Sequence, residues 1–179
     1  MTEERLTGLV QPDQRSCGAA VLVAAQLLRS PSYAALATQP DGFRAEVLAM
    51  HRRVTSAVDV SGRLQLPWPQ ALGTPPWAIA RQLTGTTGVE HDVRVVLDGA
   101  EAFELVSSRL TLGPVPVYVG SRWLPRHVVL ATGTNGGGLR VYDPARGAVR
   151  TVPRDAFVTG RLGLSGWDRA WFTVSPAAP

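Results

Sequence analysis

At Gly113 the chain changes character, and that change limits the folds open to it. Upstream, the apolar residues fall in helical patterns. Cys17–Ser30 is Ala- and Leu-rich and apolar on most sides, which predicts a buried central helix. Ser16 or Asp13 is placed to cap its start, and Pro31 stands just past its end. Phe43–Val58 predicts an amphipathic helix, Pro76–Gly85 a short one opened by proline, and Gly99–Leu110 a fourth. One candidate strand, His91–Leu97, lies among them, and Leu6–Val10 is a possible short apolar element. Downstream come the short β-rich runs PVPVYVG, HVVLATG, LRVYDP and AVRTV, then one helical turn in PRDAFVTG and a closing strand over Trp167–Val174. The stretch TNGGG, Thr134–Gly138, separates two of these runs as a hairpin turn. Helices first and antiparallel strands later is the α+β pattern. The expectation is a single domain over 1–179, with a helical part to about 110 and a sheet part from about 111.

Composition narrows the function classes. A hydrophobic fraction of 45% is enough to build a core, and the one cysteine, Cys17, cannot form a disulfide within the chain. All 18 basic residues are arginine and they are scattered, so a net charge of +4 marks no nucleic-acid surface. No nucleic-acid partner is expected. The absence of lysine beside abundant Ala, Gly, Val and Pro suggests a high-GC bacterial genome. MTEERLTGLVQPDQ has neither the basic start nor the apolar run of a secretory signal, and no stretch is long enough to span a membrane. That predicts a cytoplasmic protein, or one exported by a secretion system that needs no such signal. One cysteine and three separated histidines lack metal-ligand spacing, and the glycines at 136–138 lead from strand to strand as turn residues. No metal and no cofactor are expected.

The chemistry starts at QPDQRSCGAA, Gln11–Ala20. Cys17 stands at a predicted helix start, where unpaired N–H groups and the dipole favour a thiolate. Alone, a single cysteine is more often a small apolar core residue. Of the histidines, His51 sits beside Arg52 and Arg53 and is expected at the surface, and His91 precedes a strand. His127 opens HVVLATG, where a strand entrance presents its ring at a cleft edge. Asp143 ends LRVYDP, sixteen residues on. Two antiparallel strands joined by TNGGG bring His127 and Asp143 to the same end of a hairpin, so the carboxylate can fix the imidazole tautomer. Gln11, six positions before the cysteine, can offer a side-chain amide to a developing oxyanion, with the Cys17 backbone N–H as second donor; Gln14 is its rival. The Pro-rich loop Leu64–Trp77, with Trp68 and Trp77, is either one wall of a substrate cleft or an irregular surface excursion, with the second slightly favoured. Specificity would reside there and near Trp123.

The set Gln11, Cys17-Gly18-x-Ala20, His127-Val128-Val129 and Asp143-Pro144 resembles the papain-like cysteine peptidase superfamily. The segment HVVLATGTNGGGLRVYDPARG is similar to the His-to-Asp segment of the bacteriocin-processing peptidases, which remove double-glycine leaders. The resemblance covers both ends of the chain, not the middle from about 31 to 110. It implies a papain-like fold, with Cys17 as nucleophile, His127 as general base and acid, Asp143 as orienting residue and Gln11 in the oxyanion hole. The activity implied is hydrolysis of a peptide or amide bond in a peptide or protein substrate. The same acyl-enzyme also serves deamidases, transglutaminase-like effectors and acyl-transfer enzymes, and a papain-like domain kept only for binding is the non-enzymatic alternative. The missing transporter segment and the long Cys-to-His interval depart from the bacteriocin-processing pattern.

Overall fold

The computed structural model describes residues 3–177. Helix α1, Cys17–Arg29, is buried along nearly its whole length, as its Ala-, Val- and Leu-rich sequence requires. It is not capped by a side chain. Asp13 Oδ1 instead accepts from the N–H groups of Arg15 and Ser16, at 2.8 and 3.0 Å, closing an Asx turn that aims the chain into the helix. Pro31 ends α1 and also starts α2, Pro31–Ala37, an element missing from the sequence reading. Proline is a helix stop and an equally good first residue, and Ser30 caps the new helix by accepting from Tyr33 N. Helix α3 spans Gly42–Thr55, and α4 spans Pro76–Thr87, closed by Gly88 in the left-handed conformation. At the N-terminus a 3₁₀ turn, Glu3–Leu6, takes the place of the short element expected over Leu6–Val10.

Six antiparallel strands form one sheet in the order β1-β6-β2-β3-β4-β5. They are β1 His91–Val95, β2 Val115–Gly120, β3 Pro125–Asn135, β4 Gly138–Asp143, β5 Ala148–Pro153 and β6 Arg169–Pro176. The β3–β4 turn is two glycines with φ of 56° and 80°, the pairing a tight hairpin favours. Strand β1 comes from the helix-rich stretch and joins the sheet edge against β6. Helices α5, Gly99–Arg109, and α6, Arg154–Val158, cover one face. Helices α1–α4 cover the other.

Strand alternation feeds both faces. Tyr118, Val128, Leu130, Tyr142 and Val174 pack with α1–α4, while Val117, Val119, Val129 and Val141 pack with Phe103, Val106 and Phe157. The N-terminal segment is clamped across the β4–β5 turn. Gly8 N donates to Gly147 O at 2.7 Å, Gln11 N to Pro144 O at 2.8 Å, and Tyr142 Oη to Leu9 O at 2.6 Å. This clamp brings the loop before α1 to the end of the hairpin that carries Asp143.

Candidate active site

Cys17 is the first residue of α1, so its own N–H has no carbonyl partner within the helix. Gly18 behind it is there for space: a Cβ at that position would stand 2.6 Å from Thr74 Cβ. The α1 N-terminus can therefore press directly against the loop before α4. Cys17 is 6% exposed, His127 6% and Asp143 0%, so all three are buried at one point where α1 meets the sheet.

The hairpin register explains the imidazole–carboxylate contact. The last pair of the β3–β4 register is Leu130 with Tyr142, and Asp143 follows it at the end of the hairpin where His127 enters. His127 Nε2 lies 2.8 Å from Asp143 Oδ1. With Nε2 turned to the carboxylate, Nδ1 is left free of it, and Cys17 lies close enough to act on the titration of the ring. Burial works against a charged His127 ring, but its hydrogen bond to Asp143, the neighbouring Cys17 and the charges of both outweigh it and lift its pKa to about 9. Asp143 is held below the ordinary carboxylate value. Burial opposes ionisation there, and hydrogen bonds from His127, Ser165 and the Ala145 N–H overcome it.

Ser165 has no counterpart in the sequence reading. Its Oγ donates to Asp143 Oδ2 at 2.6 Å. Its φ of 49° is in the left-handed region, which a non-glycine residue seldom occupies, and it sits inside the tight Leu164–Trp167 bridge. No motif marks this serine; the only local signal is the glycine-rich run LGLSG.

Gln11 lies elsewhere in the network. Its Nε2 donates to Asp13 O at 2.6 Å, and its Oε1 is buried with no partner among the described residues. Gln14, its rival, lines the cleft beside Cys17. The structure thus brings Cys17, His127 and Asp143 together, while the Gln11 amide is turned back onto its own loop.

His51 is not at the surface, contrary to expectation. It is buried, with Nε2 3.2 Å from Gln70 O. The helix turn that exposes Arg52 and Arg53 rotates their neighbour inward.

A cleft of about 580 Å³ opens onto Cys17 and His127. Trp68 and the stretch Ala71–Trp77 of the Pro-rich loop line it, while Leu64 and Leu66 are exposed. Trp68 and Trp77 meet edge to face there, their ring centres 5.2 Å apart, with Tyr118 and Phe172 on the sheet side. Tyr118 Oη donates to Thr74 O at 2.7 Å and ties the loop to β2. Burial, and then the neighbouring Cys17, hold this phenol well above its usual pKa. Trp123 is 70% exposed and lies outside the cleft lining, with the Arg122 guanidinium over its ring.

No protein-family model matches the sequence, and no curated protein matches it. Solved structures do. A protein from Bacillus anthracis described as a C39-like peptidase superposes with a TM-score of 0.51 at 11% identity, covering 96% of this chain and 95% of that one. The fold is that of the papain-like, C39-like peptidases. The peptidase domain of Streptococcus ComA, a bifunctional ABC transporter of a quorum-sensing pathway, aligns over 94% of this chain and 97% of its own at 18% identity, with a TM-score of 0.48. Among the described residues, no helix is long and apolar enough to cross a membrane.

Proposed function

We propose that this protein is a papain-like cysteine peptidase that cleaves a peptide or amide bond through an acyl-enzyme. The observation that carries the proposal is the 2.8 Å contact of the buried His127 ring with Asp143, in a cleft that His127 and Cys17 line together. With the ring pKa near 9, His127 carries its proton at neutral pH and stands beside the thiol as imidazolium.

In the cycle proposed, the Cys17 thiolate attacks the scissile carbonyl carbon and forms a C–S bond. The carbonyl electrons move to oxygen, where the Cys17 backbone N–H donates. Collapse of this intermediate breaks the C–N bond as His127 protonates the leaving amine. Water then attacks the thioester, with His127 removing its proton, and the Cys17 sulfur leaves with the acyl group released as a carboxylic acid. Asp143 keeps the ring in the tautomer that points Nδ1 at sulfur, and Ser165 and the Ala145 N–H keep Asp143 in place. Gln11 is the proposed second oxyanion donor, which requires its amide to leave Asp13 O when substrate arrives.

The test is mass spectrometry of a proteome treated with wild type and Cys17→Ala. New termini that depend on Cys17 support a peptidase. A gain of about one mass unit at glutamine, or a cross-link, reassigns the acyl-enzyme to deamidation or transfer. A Cys17 thiol that alkylates no faster than free cysteine at neutral pH, in a protein without turnover, reduces the domain to a binding module.

A further inference from the structure

Two cavities open at the two ends of α1 and α4. One, of about 570 Å³, is lined by Gln26 and Arg29 of α1, Gln82 and Thr86 of α4 and His91 of β1, and no cysteine reaches it. The other is the cleft, which Cys17 and Trp77 line near the N-terminal ends of the same helices.

The cleft carries charge of one sign at its reacting groups. Two arginines line it, and each stands beside a proposed catalytic residue in the chain. Arg15 comes two positions before Cys17, and Arg126 comes directly before His127. They arrive from separate parts of the fold, the loop before α1 and strand β3. Both are exposed, and neither forms an ion pair among the described residues. Arg81, Arg94 and Arg154, by contrast, each meet a carboxylate.

No aspartate or glutamate is among the described residues that line the cleft. Asp13, close by in the chain, already accepts from the N–H groups of Arg15 and Ser16. Asp143 is completely buried, with both oxygens bonded. The arginines do not serve the imidazole either. A cation against the ring would lower its pKa, and only burial, Asp143 and Cys17 set that value. The other walls are largely apolar, with Trp68, Leu72, Trp77, Leu124 and Phe172 among them. Apolar walls keep the local dielectric low, and a cleft of one sign focuses its field on whatever enters.

We propose that the cleft selects peptides with an aspartate or glutamate beside the scissile bond, held by Arg15 and Arg126. This rests on the peptidase reading and names the substrate class of that same cleft.

The experiment gives the intact protein a peptide library from a trypsin-digested bacterial lysate. New termini that Cys17→Ala does not make are read by mass spectrometry. Aspartate or glutamate is expected to be enriched about threefold or more within about three residues of the cuts at about 0.05 M salt, and the enrichment should fade at about 0.5 M. A cleaved Glu peptide and its Gln isostere are expected to differ about tenfold in kcat/KM, with the ratio reduced in Arg15→Gln and in Arg126→Gln. The double variant Arg15→Glu/Arg126→Glu is expected to prefer lysine in place of that glutamate, a reversal that loss of folding cannot produce. Cuts without acidic enrichment, or a Glu-to-Gln ratio unchanged in either arginine variant, overturn this inference and leave the peptidase reading standing. A library without Cys17-dependent termini overturns both.

Discussion

The two cavities at opposite ends of α1 and α4 are nearly equal in volume, and each holds one histidine. The rings differ in opposite directions. His127, against Asp143 and Cys17, is raised to about 9. His91 is lowered, by burial first and then by the Arg29 charge, against the pull of the Val89 carbonyl and Asp92. Volume and burial therefore do not set the direction of these two shifts. Burial alone pushes an imidazole towards neutrality, and it takes a carboxylate with its own donors to reverse that.

The largest effect comes from deleting the thiol, which has no equivalent in the far cavity, or the imidazole that shares its cleft. Cys17→Ala is expected to abolish turnover, and His127→Ala to lower kcat by about 10³-fold or more, measured on any substrate the wild type cuts. Unchanged turnover in Cys17→Ala would end the peptidase reading.

Asp143→Asn is the direct way to make His127 resemble His91. Loss of about 10²–10⁴-fold in kcat is expected, with the basic limb of the pH profile moving below its wild-type position near 9. Stability follows the same sign. The raised pKa of folded His127 means that its contribution is complete below about 6.5, the unfolded value, and is lost as pH rises through about 9. Melting curves of the wild type should fall across that window, and those of Asp143→Asn should fall less.

Gln11→Ala and Gln14→Ala sharpen the cleft side of the comparison. An oxyanion donor is worth about 10²–10³-fold in kcat, and that loss is expected for Gln11→Ala alone. The same loss in Gln14→Ala, with Gln11→Ala near wild type, transfers the role to the glutamine already in the cleft.

Ser165→Ala is expected to cost about tenfold in kcat with KM unchanged, and to move the basic limb down, since Asp143 loses a 2.6 Å hydrogen bond. A drop in melting temperature without a shift of the limb would make Ser165 merely structural. The smallest effect belongs to the far cavity. In Arg29→Gln, the His91 pKa followed by NMR titration should move up towards its ordinary value, with that of His127 unmoved.

Most elements and the His127–Asp143 contact were legible in the chain because local rules write them. Period, proline and glycine placement, and a two-residue turn of glycines are short-range signals, and a hairpin turns a sequence interval into a distance. Helix α2 was lost because Pro31 carries two meanings, stop and start, and only Ser30 accepting from Tyr33 N decides between them. His51 was misplaced because its charged neighbours on α3 say nothing about the opposite face of that helix.

What the sequence alone determined about this protein is the α+β order of its elements, one thiol at a helix start, and an imidazole and a carboxylate at one end of a hairpin. Tertiary structure decided the rest. It set the thiol and that imidazole in one cleft, made the tryptophan loop a cleft wall, and brought Ser165 from 22 residues beyond Asp143 to its second oxygen. It also assembled the second cavity from α1, α4 and β1. The physical reason is the range of the interactions. Backbone propensity and turn chemistry act over a few residues, whereas packing joins segments far apart in the chain through contacts that exist only once the sheet and its helices have closed.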